Sequence, residues 1–369
     1  MTIFAACFTL RARMFCLAFA PRHLLLLGCF ALGACGGKAH TPPPPDKPAK
    51  PPPPTDVPMT VGQYNATLRF TVSVQVGDAP PFDALLDTGS GGLRLVPGAV
   101  PDSAFTQILS EQVQGVFGSS LAVNGRIAMA TVTIGGLVTP APIPVMHIDS
   151  FDCASADPSC NVDTEVMSHF SGFSAILGVG MRNSDETPVV GNPIAQLTGQ
   201  PPFIIEAPPF PGGMGTLRIS PADAETAGFT PFQLASDTRE LFLANHTPAW
   251  NDEEVPTCIN DKTNGTQYCA GGFYDTGTPF TIISLPGQTT MTPLPANEDV
   301  DVAIGATLTT PAPLDYEFTV SDMPLQGRDL VYLEPSASVP ALNLGNAPYF
   351  VFDMFYDQVN GVIGFQKKQ

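Results

Sequence analysis

The chain is poor in basic side chains and in tryptophan. Of its 369 residues, 16 are lysine or arginine, 34 are aspartate or glutamate, and one is tryptophan. A surface with this excess of negative charge repels nucleic acid and anionic lipid headgroups, so we expect no nucleic-acid partner. Two interpretations of the acidity stay open. Either the acidic residues only keep the protein soluble, or the composition suits a protein that works at low pH. A chain with few basic residues has few ion pairs to lose at low pH.

Sequence patterns of metal-dependent and cofactor-dependent proteins are also missing. There is no Cys-x-x-Cys pair, and the five histidines are scattered along the chain, which argues against a zinc site. We find no phosphate-binding loop, dinucleotide motif or Ser-His-Asp signature. We therefore expect no metal and no other cofactor. After the N-terminal segment, no apolar run is long enough to predict a membrane-spanning helix.

The N-terminal segment predicts export and lipid anchoring. Residues 1–34 hold three arginines and no acid, and Leu24–Leu32 is a short apolar run. Small residues precede Cys35, as in a bacterial lipoprotein signal, which is cut before a cysteine that then carries lipid. An ordinary secretory signal with a coincidental cysteine is the alternative, and Met14 is an alternative start. Gly36 rather than aspartate follows Cys35, which by resemblance to enterobacterial sorting favours the outer membrane of a bacterial cell envelope, facing the periplasm or the surface.

A proline-rich stretch follows the predicted lipidation site. It includes the runs Pro42–Pro45 and Pro51–Pro54. Such runs favour the extended polyproline II conformation, at about 3.1 Å per residue, and cannot enter a core. We interpret residues 35–59 as the lipidated cysteine and a tether that holds the folded part away from the bilayer. A ligand for proline-binding domains is the alternative.

The rest of the chain, residues 60–369, contains two copies of one short motif. It is rich in glycine and proline, with many short apolar stretches and few helical patterns, which is typical of all-β domains. The two copies are Asp87-Thr88-Gly89-Ser90 and Asp275-Thr276-Gly277-Thr278. Each copy lies between apolar stretches. Either they are two unrelated surface turns between strands, or their duplicated context marks one shared site.

The motifs resemble those of the pepsin family of aspartic peptidases, in which two homologous lobes each place one carboxylate in a shared cleft. Further segments resemble that family in the same chain order, namely Tyr64–Val76, Phe173–Gly180, Leu342–Asn346 and Asn360–Phe365. The resemblance covers about residues 60–369, and it extends to an uncharacterised family of bacterial aspartic-peptidase-like lipoproteins.

This resemblance implies an all-β, pepsin-like bilobal fold of the β-barrel or sandwich type, with a few short helices. An N-terminal lobe over residues 60–211 would carry Asp87. A C-terminal lobe over residues 212–369 would carry Asp275. We expect a monomer that acts on a peptide or protein substrate and reaches the membrane only through Cys35.

The resemblance also implies a mechanism in which Asp87 and Asp275 are the catalytic pair. Two carboxyl groups about 3 Å apart share one proton over a wide pH range. The ionised carboxyl would take a proton from water, and the protonated one would donate to the scissile carbonyl oxygen. The neighbouring residues would support the two loops through hydroxyl and N–H groups: Thr88, Gly89, Ser90, Thr276, Gly277 and Thr278.

Two positions depart from the family pattern. The flap, a hairpin that carries a tyrosine in pepsins, matches Phe117-Gly118 here, and Arg94 replaces the tryptophan that usually bonds to that tyrosine. Either this branch uses another flap contact, or the protein is weakly active or inactive. We therefore keep two functions open: a lipid-anchored acid endopeptidase, and a non-catalytic envelope lipoprotein that binds extended peptides or an envelope partner.

Four cysteines remain outside the signal and the lipidation site. Cys153 and Cys160 bracket one short loop, and Cys258 and Cys269 bracket another. Local pairing would give two disulfides, one per lobe, as expected in an oxidising compartment.

Anchoring can be tested at the predicted lipidation site. Cys35→Ser removes the thiol that would carry lipid, so the protein should leave the membrane fraction and lose the mass of the acyl groups. Fractionation and mass spectrometry of the mature N-terminus measure both changes, with Cys29→Ser as the matched control. An unchanged membrane fraction and an unchanged mass would show that the lipoprotein interpretation is wrong.

Overall fold

A computed structural model describes nine ranges of the chain: 49–64, 67–117, 120–154, 160–182, 190–208, 213–237, 247–321, 330–336 and 340–369. The predicted signal peptide, Cys35 and the first part of the tether lie outside the described residues. So do Gly118 of the predicted flap and the predicted lobe boundary between residues 211 and 212.

Strands dominate the described chain. The first twelve are β1 (Thr55–Tyr64), β2 (Thr67–Val76), β3 (Phe82–Asp87), β4 (Gly91–Leu95), β5 (Gln107–Val116), β6 (Leu121–Ala130), β7 (Val132–Ile134), β8 (Leu137–Val138), β9 (Ile143–Cys153), β10 (Ala175–Val179), β11 (Phe203–Glu206) and β12 (Gly213–Ile219). The others are β13 (Thr230–Gln233), β14 (Val255–Asp261), β15 (Thr266–Phe273), β16 (Thr281–Pro286), β17 (Thr292–Pro293), β18 (Asp299–Ile304), β19 (Leu314–Thr319), β20 (Val331–Ser336), β21 (Ala341–Asn343), β22 (Phe352–Asp357) and β23 (Val362–Lys367).

Helices are few and short. The α-helices of the described residues are α1 (Val162–Phe170) and α2 (Asp223–Thr226). Short 3-10 helices lie at Asp102–Ala104, Ile194–Gln196 and Ala347–Phe350. The prediction of an all-β fold with a few short helices is confirmed. Among the residues that the structure describes, no helix has the length and apolar character needed to cross a membrane.

The strands form two sheets. The larger one has 15 strands in the order β13-β23-β22-β11-β12-β1-β2-β3-β10-β4-β9-β6-β5, with β7 paired to β2 and β8 paired to β7. The smaller one has eight strands in the order β17-β20-β16-β21-β15-β14-β18-β19. The larger sheet thus joins strands from both ends of the chain, because β22 and β23 lie in it beside β11.

The burial of each strand follows from its residue pattern. β18 alternates acidic and apolar residues, so Val300, Val302 and Ile304 point into the core while Asp299 and Asp301 face outward. β10 is apolar throughout and is buried at every position. A strand without alternation is covered on both faces, and β10 accordingly lies in the middle of its sheet.

The two Asp-Thr-Gly turns occupy equivalent places in the two sheets. In the larger sheet, β10 pairs in parallel with β3, which ends at Asp87, and antiparallel with β4. In the smaller sheet, β21 pairs in parallel with β15, which precedes Asp275, and antiparallel with β16. The segments Phe173–Gly180 and Leu342–Asn346 therefore pass behind the two turns, in the order that the sequence resemblance implied.

The first strand begins earlier than the sequence predicted. β1 starts at Thr55, inside the stretch that we interpreted as tether up to residue 59. Val57 and Met59 are buried, and β1 pairs antiparallel with both β12 and β2. The boundary at residue 60 is therefore wrong. The apolar alternation of Val57, Met59 and Val61 was enough to start a strand, although the prolines before it dominate the composition.

The last prolines before β1 also contact the folded body. The Ser220 hydroxyl donates a hydrogen bond of 2.7 Å to the carbonyl of Pro52. A Cβ on Gly199 would lie 2.5 Å from the nitrogen of Pro51, so glycine leaves the room that the proline segment occupies. Residues 49–54 are thus held against the body, so this part of the predicted tether is not free.

Both predicted disulfides are present. Cys153–Cys160 joins the end of β9 to the segment that leads into α1, and Cys258–Cys269 crosses the paired strands β14 and β15. One lies at the larger sheet and one at the smaller. Each closes a short segment and so orders its own part of the fold rather than connecting distant parts.

The earlier start of β1 has a measurable consequence for stability. Met59→Ala removes a fully buried side chain and should lower the free energy of unfolding by about 2–5 kcal/mol. Met291→Ala is the matched control, because Met291 is exposed and should change the stability by less than about 0.5 kcal/mol. Urea unfolding of both variants measures the difference. Equal stabilities would mean that β1 is not part of the core.

Candidate active site

The two Asp-Thr-Gly turns meet between the sheets. The carboxyl groups of Asp87 and Asp275 lie beside each other, and both residues are 7% exposed. A Cβ on Gly89 would lie 2.3 Å from Oδ1 of Asp275, and one on Gly277 would lie 2.6 Å from Oδ1 of Asp87. Only glycine permits this approach. The structure thus brings the predicted pair together.

Each carboxylate accepts hydrogen bonds from its own turn. The donors are the N–H of Gly89 (2.7 Å) and Oγ of Ser90 (2.5 Å) to Asp87, and the N–H of Gly277 (2.7 Å) and Oγ1 of Thr278 (2.6 Å) to Asp275. Donors of this kind favour the ionised form of a carboxyl group. The pair is therefore oriented from both sides by equivalent residues.

Two threonines lock the turns to each other. The N–H of Thr88 donates to Oγ1 of Thr276 at 3.0 Å, and the N–H of Thr276 donates to Oγ1 of Thr88 at 2.9 Å. Their hydroxyls donate onward to the carbonyls of Tyr274 (2.8 Å) and Leu86 (2.7 Å), respectively. Both threonines are 1% exposed. Since each turn supplies the acceptor for the buried N–H of the other, neither turn is fully hydrogen-bonded alone.

Below the threonines lies a layer of buried tyrosines. The hydroxyl of Tyr349 is 2.9 Å from Oγ1 of Thr88 and donates at 2.9 Å to the carbonyl of Tyr274. The Tyr356 hydroxyl contacts that of Tyr349, and its ring stacks on Phe203. This layer supports the turns from beneath.

One contact breaks the symmetry of the pair. Nδ2 of Asn343 donates to Oδ2 of Asp275 at 3.1 Å and to Oγ1 of Thr278 at 3.2 Å. The sequence places Asn343 in the segment Leu342–Asn346, which resembles one of the pepsin family, but gives it no contact. In the structure it lies at the end of β21, next to that turn.

Burial controls the protonation of the pair. Burial and, next in size, the charge of Asp275 together raise the pKa of Asp87 to about 7, against the opposing hydrogen bonds from Ser90 and Gly89. Two buried carboxyls in contact cannot both ionise easily. The pair therefore keeps one shared proton up to about pH 7.

Comparison with known structures concerns the fold. The crystal structure of aspartic proteinase from Irpex lacteus superposes with a TM-score of 0.56 at 18% identity, covering 86% of this chain and 98% of that chain. The protein has a pepsin-like aspartic proteinase fold. The predicted all-β, bilobal fold is thereby confirmed. At this identity the likeness shows the fold alone.

Two further comparisons concern the sequence. Residues 82–196 match the model of a family described as "Protein of unknown function (DUF3443)". That stretch contains the first Asp-Thr-Gly turn and the predicted flap. No curated protein matches the sequence.

The predicted flap is the hairpin of β5 and β6, and Phe117 lies at its turn. The N–H of Phe117 donates to the carbonyl of Leu121 at 2.9 Å. The Phe117 ring packs 4.7 Å from the ring of His169 and 6.2 Å from that of Phe170, both on α1. The Arg94 guanidinium lies 5.9 Å from the centre of the same ring. The two departing positions thus contact each other through a cation–π interaction.

Sequence reasoning missed two arginines beside the turns. The guanidinium of Arg69 donates to the carbonyl of Gly277, and that of Arg182 donates at 2.6 Å to the carbonyl of Gly89. Arg182 also packs 4.4 Å from the centre of the Phe273 ring. Both glycine carbonyls are therefore held by guanidinium groups. The signal for Arg69 was a single charge within the apolar pattern of β2.

The described ranges contain no cluster of three or more histidine, cysteine or acidic side chains arranged to hold a metal ion.

The exchange between the threonines predicts their contribution to stability. Thr88→Val and Thr276→Val keep the side-chain shape but leave a buried N–H without an acceptor, which should cost about 1–3 kcal/mol each. The double variant should cost less than the sum, because both changes disrupt one network. Urea unfolding measures these losses. Thr319→Val, at an exposed position of β19, is the control. If the two single variants and the double variant were as stable as this control, the threonines would not hold the turns together.

Proposed function

We propose that the protein is an aspartic endopeptidase that hydrolyses peptide bonds between Asp87 and Asp275. The observation that carries this proposal is the buried, hydrogen-bonded pair of carboxyls with one N–H and one hydroxyl donor on each. Two buried carboxyl groups side by side destabilise the folded state at neutral pH. The fold therefore does not need the pair for its stability. A function for the pair explains its presence better than stability does.

The chemistry of the pair suits general acid–base catalysis. In the singly protonated state, the ionised carboxyl takes a proton from a water molecule that lies between the two groups. The resulting hydroxide attacks the carbonyl carbon of the peptide bond, and the other carboxyl donates its proton to the carbonyl oxygen. The carbon–nitrogen bond then breaks as the amine takes up the proton that the pair received from water, and one hydroxyl of the intermediate returns its proton to the other carboxyl. The donors around Asp87 and Asp275 hold both groups in place, so little reorganisation is needed.

The substrate in this proposal is an extended peptide. The β5–β6 hairpin and α1 lie on one side of the site, and an extended chain can bind beside them through main-chain hydrogen bonds, with side-chain pockets giving specificity. Exposed apolar side chains lie at the hairpin and on α1, at Val116 and Met167. They offer contacts for an apolar peptide side chain.

The location of the enzyme is part of the proposal. The apolar run Leu24–Leu32 and Cys35 support an outer-membrane lipoprotein that faces the periplasm or the cell surface. Residues 49–54 are held against the body, so the tether in this proposal is residues 36–48.

A second function is favoured by one observation. Phe117 has no hydroxyl group, and its neighbour at the flap is Arg94 rather than a hydrogen-bonding aromatic residue. A flap with this chemistry suits a non-catalytic lipoprotein that keeps the cleft and binds extended peptides or an envelope partner. The intact pair of carboxyls favours the peptidase.

The pair can be tested by removing one carboxyl at a time. Asp87→Asn and Asp275→Asn should each abolish cleavage of an unfolded protein, because an amide cannot accept the proton of water. The double variant should lose no more activity than either single variant, since the pair acts as one unit. Wild-type activity should be greatest on the acid side and fall as the pH rises through about 7, where the shared proton is lost. Initial rates between pH 3 and pH 9 measure both effects.

A matched control is available on the same strand. Asp83→Asn, at an exposed position of β3, should leave the rate and the pH profile unchanged. Cleavage that survives in Asp87→Asn would rule out the proposed mechanism. A wild-type protein that cleaves nothing at any pH, yet binds extended peptides equally well with and without the Asp→Asn changes, would support the binding function instead.

A further inference from the structure

Arg69 is a buried cation next to the pair of carboxyls. It lies on β2 and is 3% exposed. Its Nε donates to Oγ of Ser171 at 3.1 Å, and its two terminal nitrogens donate to the carbonyls of Gly277 and Ser168. Within the described chain, all of these acceptors are uncharged. The titratable groups that face Arg69 are Asp275, Asp87 and, on α1, His169, whose own pKa burial lowers. Burial lowers the pKa of Arg69, and the charges of Asp275 and Asp87 oppose this shift.

The contact with Gly277 acts on both donors to Asp275. The Gly277 N–H and the Thr278 hydroxyl each donate to Asp275. The carbonyl that Arg69 holds belongs to the peptide unit between Gly277 and Thr278. A shift of this peptide unit would therefore move both donors at once. Arg69 reaches the second turn from β2, a strand that pairs with β3, which ends at Asp87.

The other two contacts of Arg69 hold the end of α1. Ser168 lies in the last turn of this helix, where carbonyls lack partners within the helix, and Ser171 is its left-handed cap with φ 51°. A cation at the C-terminal end of a helix is favourable. The same turn carries His169 and Phe170, which pack against Phe117 of the flap. Arg69 thus connects the helix beneath the flap with the turn that carries Asp275.

We propose that Arg69 is a positioning residue, which fixes Asp275 through Gly277, couples it to the flap through α1, and supplies a positive charge that favours the ionised state of the pair. The inference rests on the proposed peptidase function for its kinetic consequences. The effect of the Arg69 charge on the protonation of Asp87 and Asp275 does not depend on that function. Among the described residues no carboxylate forms an ion pair with Arg69, and the charges that act on it there are those of Asp275 and Asp87.

Two substitutions separate geometry from charge. Arg69→Lys keeps the positive charge but replaces a planar group that reaches three acceptors by a point charge. It should lower kcat about 10- to 100-fold through misplacement of the turn, with KM and the pH midpoint near 7 unchanged. Arg69→Met removes the charge as well, so the midpoint should also rise by about 1 pH unit. The direction follows because loss of a nearby cation makes deprotonation of the pair harder.

A milder variant covers the case in which Arg69→Met does not fold. Ser171→Gly removes the acceptor of Nε while glycine suits the left-handed backbone. It should lower kcat less than Arg69→Lys does and leave the midpoint unchanged. Arg218→Met is the control for loss of an arginine, because Arg218 pairs with Asp56 and Glu206 and not with the turns. It should lower the stability but leave kcat per folded molecule and the midpoint at wild-type values.

The charge effect has a readout that needs no catalysis. Carbon-13 NMR titration of labelled aspartate carboxyls follows the upper midpoint of the pair directly in wild type, Arg69→Lys and Arg69→Met. If wild type cleaves nothing but the midpoint rises only in Arg69→Met, the peptidase proposal fails and the charge role of Arg69 stands. Folded Arg69 variants with wild-type kcat and wild-type midpoint would overturn this inference while leaving the peptidase intact.

Discussion

The exchange of hydrogen bonds between Thr88 and Thr276 is the contact on which the rest of the site depends. Each buried N–H finds its acceptor on the opposite turn, so the two turns are complete only when they meet. This exchange holds Asp87 and Asp275 close together although two negative charges would repel. The repulsion is relieved because the carboxyls share a proton and accept hydrogen bonds from both turns.

The electrostatic state of the site is a balance of opposing effects. Burial and the neighbouring acid raise the pKa of Asp87, whereas the hydrogen bonds from Ser90 and Gly89 lower it. The buried cation of Arg69 acts in the same direction as these bonds, since it favours negative charge on the pair. The outcome is one proton held up to about pH 7. The proposed enzyme would therefore work from acid to nearly neutral conditions.

The larger sheet explains why the start of β1 matters. β1 lies between β12 and β2, and strands from the C-terminal end continue the same sheet through β11. The chain passes from its proline-rich segment directly into this shared sheet, without a long free linker after residue 49.

The sequence by itself determined the all-β class, the local disulfides and the identity of the two acids, because these depend on composition, short spacing and a repeated motif. It did not determine the start of β1, since prolines masked a short apolar alternation. The contacts of Asn343 and Arg69 were decided only by the tertiary structure. Each residue is distant in sequence from the residue that it contacts at the site: Asn343 from Asp275, and Arg69 from Gly277. Such contacts arise from how the sheets and turns pack, which no local pattern in the sequence encodes.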